Sequence, residues 1–302
     1  MKIQEMIQHL KTYFLILAIL FLSQIGQTQE SQIFNNLFVK SEILKKEVGF
    51  GIYLPPNYDA SNQSYPVLYL LHGGGGKKGT KRHQRLIEEF NLKATIDKAI
   101  SDNSIKPMIV IIPDAGMSYY MNNINGDYQY EDYFMNELMP HIEKSYRCET
   151  GKGNTAIAGF SMGGFGALLY SLHHPTKFSA VAAIGPAIRT DSEIREMPYE
   201  QYLRRYGSAV GNVNKEYERI TDFWHSNSIL YLVENLSEAP KTKIQIVIGD
   251  EDYLYRGNSE LHIMMNDKKI FHEYRVVDGK HFEYFKSEIM RALKFISNNI
   301  KE

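Results

Sequence analysis

The chain alternates between short apolar runs and longer segments in which apolar residues recur every three or four positions. Short apolar runs are typical of buried strands, and the periodic segments are typical of amphipathic helices. The pattern predicts strands at 67–71, 108–112, 155–158, 180–184, 243–248 and 272–277. It predicts helices at 84–100, 131–146, between 161 and 175, around 261–265 and at 282–300. Because strands and helices alternate, we expect βαβ units around a mostly parallel sheet.

Two segments depart from this alternation. Residues 43–54 predict a strand pair broken at Val48-Gly49, which would form an antiparallel edge of the sheet. Residues 186–242 are polar and rich in aromatic side chains, and an insertion there would cover the carboxyl edge of the strands. Plain helical packing is the alternative for this insertion. The predicted fold class is α/β: a mostly parallel central sheet, helices on both faces, and an insertion over the edge that carries the candidate site.

The start of the chain has the pattern of an export signal. An unbroken apolar run at 13–22 follows Lys2 and Lys11, and small polar residues come after it. Ten apolar residues are too few to span a bilayer as a helix but suit a signal-peptide core. We predict a signal peptide over 1–28, a single domain over 29–302, and export to the periplasm or the extracellular space. An uncleaved anchor helix is the alternative.

Composition excludes several classes of partner. The 302 residues are 43% hydrophobic, which is enough for a large core. The net charge of −1 leaves no basic surplus for nucleic acid. The single cysteine, Cys148, cannot form an internal disulfide. No cluster of His, Cys and carboxylates has the spacing of metal ligands, so we predict neither a metal nor a cofactor.

The strongest chemical signal is Gly-x-Ser-x-Gly at 159–163, between a predicted strand and a predicted helix. In this context the pattern is a nucleophile elbow, a sharp turn that lifts the serine hydroxyl above the sheet. We therefore predict that Ser161 is a nucleophile. A structural turn of small residues is the alternative.

A nucleophilic serine needs a base, and the base needs an acid to orient it. In this architecture the order is serine, acid, histidine, each in a loop after a strand. His281 follows the last predicted strand, and Asp252 lies just beyond the strand at 243–248. Asp250 is the competing acid; we favour Asp252 because it lies further along the loop.

Stabilising an oxyanion requires two N–H donors. The amide of Met162, at the start of a helix, is one candidate. The other lies in the glycine loop 73–76, where we favour Gly74 and keep Gly73 and Gly75 as alternatives. A phosphate-binding loop is the rival interpretation, but no Gly-Lys-Ser/Thr follows.

Candidate substrate contacts come from aromatic residues in loops and in the insertion. Tyr119 and Tyr120 follow a predicted strand, and Trp224 lies within the insertion. Such rings combine a flat apolar face with a polar tip, which suits stacking on a sugar or phenolic ring. Packing inside the protein is the alternative.

Several separated motifs resemble, in order, the esterase-D-type branch of the α/β hydrolases. They include Leu70-Leu71-His72-Gly73-Gly74, Pro113-Asp114-Ala115-Gly116, the elbow at 159–164, Gly249-Asp250-Glu251-Asp252 and Asp278-Gly279-Lys280-His281. That branch includes feruloyl and acetylxylan esterases, S-formylglutathione hydrolases and mycolyltransferases. The resemblance implies Ser161, Asp252 and His281 as the triad, with Gly74 and Met162 as oxyanion donors. Lys280 departs from the family, in which a small residue usually precedes the histidine.

Together with export, the resemblance implies a secreted serine carboxylesterase that acts through an acyl-enzyme on feruloyl or acetyl esters of plant polysaccharide. The expected partner is an ester, polysaccharide-linked or a small aryl or acetyl ester, with no nucleic acid and no stable membrane anchor after cleavage. The alternatives are an acyltransferase, a thioesterase like S-formylglutathione hydrolase and, outside the enzymes, a degenerate sugar-binding relative.

Overall fold

A computed structural model of the protein describes residues 29–76, 79–211 and 213–300. The predicted signal peptide, 1–28, lies outside the described residues. Within those three ranges, none of the helices combines the length and the apolar character needed to cross a membrane.

In the described ranges, eight strands form one sheet with the order β1-β2-β4-β3-β5-β6-β7-β8. Their bounds are Gln32–Ser41, Lys46–Leu54, Val67–Leu71, Ile109–Pro113, Thr155–Phe160, Ala180–Ile184, Lys243–Gly249 and Glu273–Val277, for β1 to β8 in turn. The first two strands pair antiparallel. In the order of the sheet, all neighbouring pairs from β4 through β3, β5, β6 and β7 to β8 are parallel. The predicted α/β fold with a mostly parallel sheet is therefore confirmed.

Helices fill the connections between the parallel strands. For α1 to α10 they are Arg82–Glu89, Leu92–Ser101, the composite α3, Met162–His173, Asp191–Glu196, Tyr199–Val210, Asp222–Asn227, Ile229–Glu234, Tyr255–Asp267 and Phe285–Asn299. The composite α3 runs through Tyr130–Tyr133, the π-helical turn Phe134–Leu138 and Met139–Ser145. The helix predicted at 84–100 is in fact two, because Asn91 adopts a left-handed φ of 43° between α1 and α2.

The opening hairpin turns at a different place from the one predicted. Val48 and Gly49 lie inside β2, and the chain reverses at 42–45 instead. At Gly49 a side chain closely approaches the strand, because a Cβ there would lie 3.1 Å from Cε1 of the His83 ring. A glycine that looked like a turn signal therefore marks a close approach of a side chain to the strand.

The core forms two layers, one on each face of the sheet. Side chains alternate between the faces along a strand, so in β3 Val67 and Tyr69 join one cluster and Leu68 and Leu70 join the other. The layer with Leu68 packs under α1, α2 and α10, and the opposite layer packs under α3, α4 and α9. The insertion forms α5 to α8 and reaches the carboxyl edge of the strands: Cζ of Arg205 in α6 lies 5.9 Å from the ring of Tyr253, which follows β7.

Candidate active site

Ser161 occupies a strained turn between β5 and α4, with φ 52° and ψ −115°. A Cβ on Gly159 would lie 2.3 Å from the carbonyl oxygen of Gly163, and one on Gly163 would lie 2.2 Å from that of Leu71. The two glycines therefore let the helix start press against β5 and the end of β3. The Ser161 amide donates to the Ile184 carbonyl at 2.9 Å, which anchors the turn to β6.

The histidine and acid predicted from the sequence meet this serine. Nε2 of His281 lies 2.8 Å from Oγ of Ser161, and Nδ1 of His281 lies 2.7 Å from Oδ2 of Asp252. The exposed fractions of His281 and Asp252 are 2% and 0%. A carboxylate only accepts hydrogen bonds, so Nδ1 carries the proton and Nε2 is left as an acceptor. The arrangement can take a proton from the serine hydroxyl.

Asp252 has two further donors, neither of which was predicted from the sequence. Its Oδ1 accepts the amide of Leu254 at 2.9 Å, and its Oδ2 accepts the hydroxyl of Tyr284 at 2.5 Å. Burial, together with the hydrogen bond to Asp252, raises the pKa of Tyr284 far above its usual value. The phenol therefore acts as a donor that holds the carboxylate towards His281. The one hint in the sequence was the position of Tyr284 three residues after His281.

Asp250, the competing acid, has a different partner. Its side chain is exposed, and Oδ1 accepts the amide of Gly279 at 2.9 Å. This contact joins the loop after β7 to the loop after β8. The structure therefore brings Asp252, and not Asp250, to the histidine.

The glycine loop lies directly against the serine and the start of α4. A Cβ on Gly73 would lie 3.5 Å from the Cβ of Ser161, and one on Gly74 would lie 3.4 Å from Sδ of Met162. The first amides of a helix have no partner within it, which leaves that of Met162 free to point at an anion. The amides of Gly74 and Met162 stay our prediction for the oxyanion donors.

His72 braces this loop through hydrogen bonds between its ring and the backbone. Its Nδ1 donates to the Gly73 carbonyl and its Nε2 accepts the Ala115 amide, both at 2.9 Å. Asp114 lies 3.5 Å from the same ring and 2.9 Å from Nδ1 of His83. Burial would raise the pKa of Asp114, but the hydrogen bonds from His83 and from the Gly116 amide outweigh it and hold that pKa well below its usual range.

The three aromatic residues predicted as substrate contacts are buried. Tyr119, Tyr120 and Trp224 are 3%, 0% and 6% exposed. The Tyr120 hydroxyl donates to the His72 carbonyl at 2.9 Å, and Nε1 of Trp224 donates to Asp191 at 3.0 Å. Stacking on a sugar would require these rings to leave the core, so the structure favours the packing alternative for all three.

Other aromatic rings are open to solvent beside the histidine. Tyr253 is 47% exposed and Phe282 is 65% exposed, and the ring of each lies 4.7 Å from that of His281. Both are sequence neighbours of predicted triad residues, and that was the available signal. They give the site two flat apolar surfaces that a substrate can reach.

Two other kinds of chemistry, metal binding and thiol reactivity, lack a suitable arrangement of side chains among the residues that the structure describes. No group of three or more His, Cys, Asp or Glu side chains in the described parts of the chain is placed to hold a metal ion. Burial raises the pKa of the Cys148 thiol to about 12, which keeps it protonated and unreactive.

The protein has the defining features of an α/β hydrolase. A strained serine lies between a buried parallel strand and a helix, and it faces a histidine and a carboxylate from the loops after later strands. The chain belongs to the putative esterase family, whose model matches residues 41–296. This confirms the resemblance inferred from the motifs.

Two relatives illustrate the family. Esterase Rv1288 of Mycobacterium tuberculosis is 30% identical over 256 residues, which cover 77% of this chain and 52% of the relative. An endo-1,4-beta-xylanase/feruloyl esterase of Xylanibacter ruminicola is 28% identical over 170 residues, 54% of this chain and 23% of the relative. The chain thus spans about half the length of the Mycobacterium relative.

Solved structures share the fold. A ferulic acid esterase is 25% identical with a TM-score of 0.75, covering 90% of this chain and 100% of its own. An S-formylglutathione hydrolase from Agrobacterium tumefaciens is 21% identical with a TM-score of 0.68, covering 90% and 95%.

Proposed function

We propose that the protein is a serine carboxylic ester hydrolase with Ser161 as nucleophile, His281 as general base and Asp252 as the orienting acid. The supporting observation is the hydrogen-bonded line from Ser161 Oγ through His281 to Asp252, with distances of 2.8 and 2.7 Å. A buried imidazole whose outer nitrogen faces a strained serine hydroxyl is suited to proton transfer.

The reaction proceeds through an acyl-enzyme. As Ser161 Oγ attacks the ester carbonyl carbon, Nε2 of His281 takes its proton, and the carbonyl oxygen becomes an oxyanion facing the Gly74 and Met162 amides. The imidazolium, stabilised by Asp252, then donates this proton to the leaving alcohol as the carbon–oxygen bond breaks. A water molecule repeats the sequence on the acyl-enzyme and releases the acid.

The proposed substrates are feruloyl or acetyl esters on plant polysaccharide, and the proposed location is outside the cytoplasm. Two observations support the choice of substrate: the similarity to a ferulic acid esterase and the exposed rings of Tyr253 and Phe282 beside His281. The proposed location rests on the prediction of an export signal at 1–28. An exported esterase can reach a polymer that does not enter the cell.

Activity of the purified protein on methyl ferulate, acetylated xylan, p-nitrophenyl acetate and S-formylglutathione tests this proposal. We expect hydrolysis of the first three, and we expect Ser161→Ala to lower kcat by about 10⁴-fold or more without loss of folding. Ser101→Ala, at an exposed helix end, is the matched control and should match the wild type. Retention of more than about a tenth of the activity by Ser161→Ala would rule out this serine as the nucleophile.

A further inference from the structure

A cavity of about 410 Å³ lies beside the glycine loop, between α1 and the start of α10. Gly73 lines it, and the same residue borders Ser161, because a Cβ on Gly73 would lie 3.5 Å from the serine Cβ. Gly75 also lines it and lies against Arg85, whose NH1 would be 2.9 Å from an added Cβ. The cavity therefore adjoins the glycine loop that borders the reacting serine.

Four phenylalanine rings form one side of this cavity. The ring centroids of Phe90 and Phe160 are 4.7 Å apart, those of Phe160 and Phe285 are 5.1 Å apart, and those of Phe285 and Phe282 are 5.6 Å apart. Phe282 is 65% exposed and also contacts the His281 ring. A continuous aromatic wall with one open ring suits the C–H face of a sugar ring.

Three cations, Arg82, Arg85 and Lys286, and two carboxylates, Glu89 and Glu283, line the same cavity, and two of these cations have no carboxylate partner among the described residues. Arg82 is 8% exposed, its buried Nε makes no hydrogen bond within the protein, and its NH1 reaches only the Thr80 carbonyl at 3.5 Å. Neither Arg82 nor the exposed Lys286 pairs with a carboxylate in the described part of the chain, whereas Arg85 pairs with Glu89 at 2.7 Å. A buried cation without a partner is costly, and a carboxylate on a ligand would remove that cost.

The position of the cavity indicates which half of the ester it receives. His281 must hand its proton to the leaving alcohol, and Phe282, Phe285 and Lys286, which all line the cavity, follow it directly in the chain. In space, the rings of Phe282 and Phe285 lie 4.7 and 5.2 Å from the His281 ring, so the cavity is on the side of the histidine that must protonate the alcohol.

We propose that the cavity binds the alcohol half of the substrate and that this half is an acidic saccharide, a sugar ring that carries a carboxylate as a uronic acid does. The proposal rests on the proposed esterase function, because it specifies the alcohol of that reaction. The phenylalanine wall receives the face of the sugar ring, and Arg82 and Lys286 receive its carboxylate.

Binding without turnover tests this assignment. Ser161→Ala protein is titrated calorimetrically with an oligogalacturonide and with the same oligosaccharide after methyl esterification, which removes the charge and keeps the rings. We expect the acid form to bind on the order of tenfold more tightly, the range of a hydrogen bond to a charged group. Arg82→Gln and Lys286→Gln, each added to Ser161→Ala, should each reduce that ratio. Lys268→Gln, at the end of α9, should leave it unchanged.

Lys286 keeps the test decisive if the buried Arg82 proves necessary for folding, because an exposed lysine is replaceable without disturbing the core. Equal binding of the acid and the methyl ester, or a preference that survives both substitutions, would overturn the proposal. Hydrolysis of p-nitrophenyl acetate by the protein with Ser161 intact reports separately on the esterase function. A preference for the acid form in a protein that cleaves no ester would support the cavity assignment and contradict the proposed function.

Discussion

Two histidine–carboxylate pairs lie at the same edge of the sheet. His72 and Asp114 come from the loops after β3 and β4, and Asp252 and His281 come from the loops after β7 and β8. The two imidazoles are buried almost equally, at 1% and 2% exposure. Burial and a neighbouring acid are therefore common to both pairs and do not distinguish their roles.

What differs is the partner of the outer ring nitrogen. Both nitrogens of His72 bond to the backbone, to the Gly73 carbonyl and the Ala115 amide. Nε2 of His281 instead faces the hydroxyl of Ser161 at 2.8 Å. A ring held by backbone groups on both sides fixes the shape of a loop, whereas a ring that faces a hydroxyl can exchange a proton with it. The partner of the outer ring nitrogen therefore separates a bracing histidine from a candidate base.

Substitution of the two histidines tests most directly whether their roles differ. We expect His281→Gln to lower kcat by about 10⁴-fold or more with little change in the free energy of unfolding. His72→Ala should lower the free energy of unfolding by about 1–3 kcal/mol, because it leaves the buried Ala115 amide without an acceptor. Ester hydrolysis and urea unfolding measure the two effects. Loss of all activity at unchanged stability in His72→Ala would contradict the bracing role.

The acids give the next test. Asp252→Asn keeps the shape of the side chain but can impose the wrong tautomer on His281, so we expect kcat to fall by about 10⁴-fold. Asp250→Asn should change kcat by no more than about threefold, because an amide oxygen can still accept the Gly279 amide. The steady-state kinetics of both variants show which aspartate is the functional acid. A larger loss in Asp250→Asn would place the functional acid two residues earlier.

Asp114→Asn tests how the carboxylate beside His72 and His83 contributes to stability and to its pH dependence. Because the folded pKa of Asp114 lies below its usual value, the carboxylate stabilises the fold above about pH 4. This stabilisation is lost as the pH falls through the folded pKa. We expect the variant to be about 2 kcal/mol less stable at neutral pH, with a difference from the wild type that shrinks below about pH 4.

Urea unfolding at several pH values measures this difference, with Asp250→Asn as the exposed control. A difference between Asp114→Asn and the wild type that stayed constant from pH 3 to pH 8 would show that the charge of Asp114 contributes nothing to the brace.

The smallest expected effect belongs to Tyr284. Tyr284→Phe keeps the ring but removes one of the three hydrogen bonds to Asp252, so we expect kcat to fall by about tenfold. KM should not change, because the side chain is 3% exposed and cannot reach the substrate. Tyr255→Phe, at an exposed tyrosine, is the control. A change confined to KM would contradict a positioning role.

Much of the fold and the centre of the site could be predicted from the sequence, because they depend on local pattern. The apolar runs place the parallel strands to within one or two residues of the observed bounds. Gly159 and Gly163 mark the elbow, because no residue with a Cβ fits there. Asp252 and His281 follow from the rule that functional loops come after strands.

Contacts between residues far apart in the chain were decided by the tertiary structure alone. Tyr284 meets Asp252 across 32 positions, and Gly49 belongs in a strand because the ring of His83 lies over it. The burial of Tyr120 and the cavity around Arg82 likewise depend on how helices from distant segments close on the sheet. The periodicity of apolar residues in the sequence indicates which face of a helix or strand is apolar. Which residues pack against that face is determined only when the layers of the fold come together.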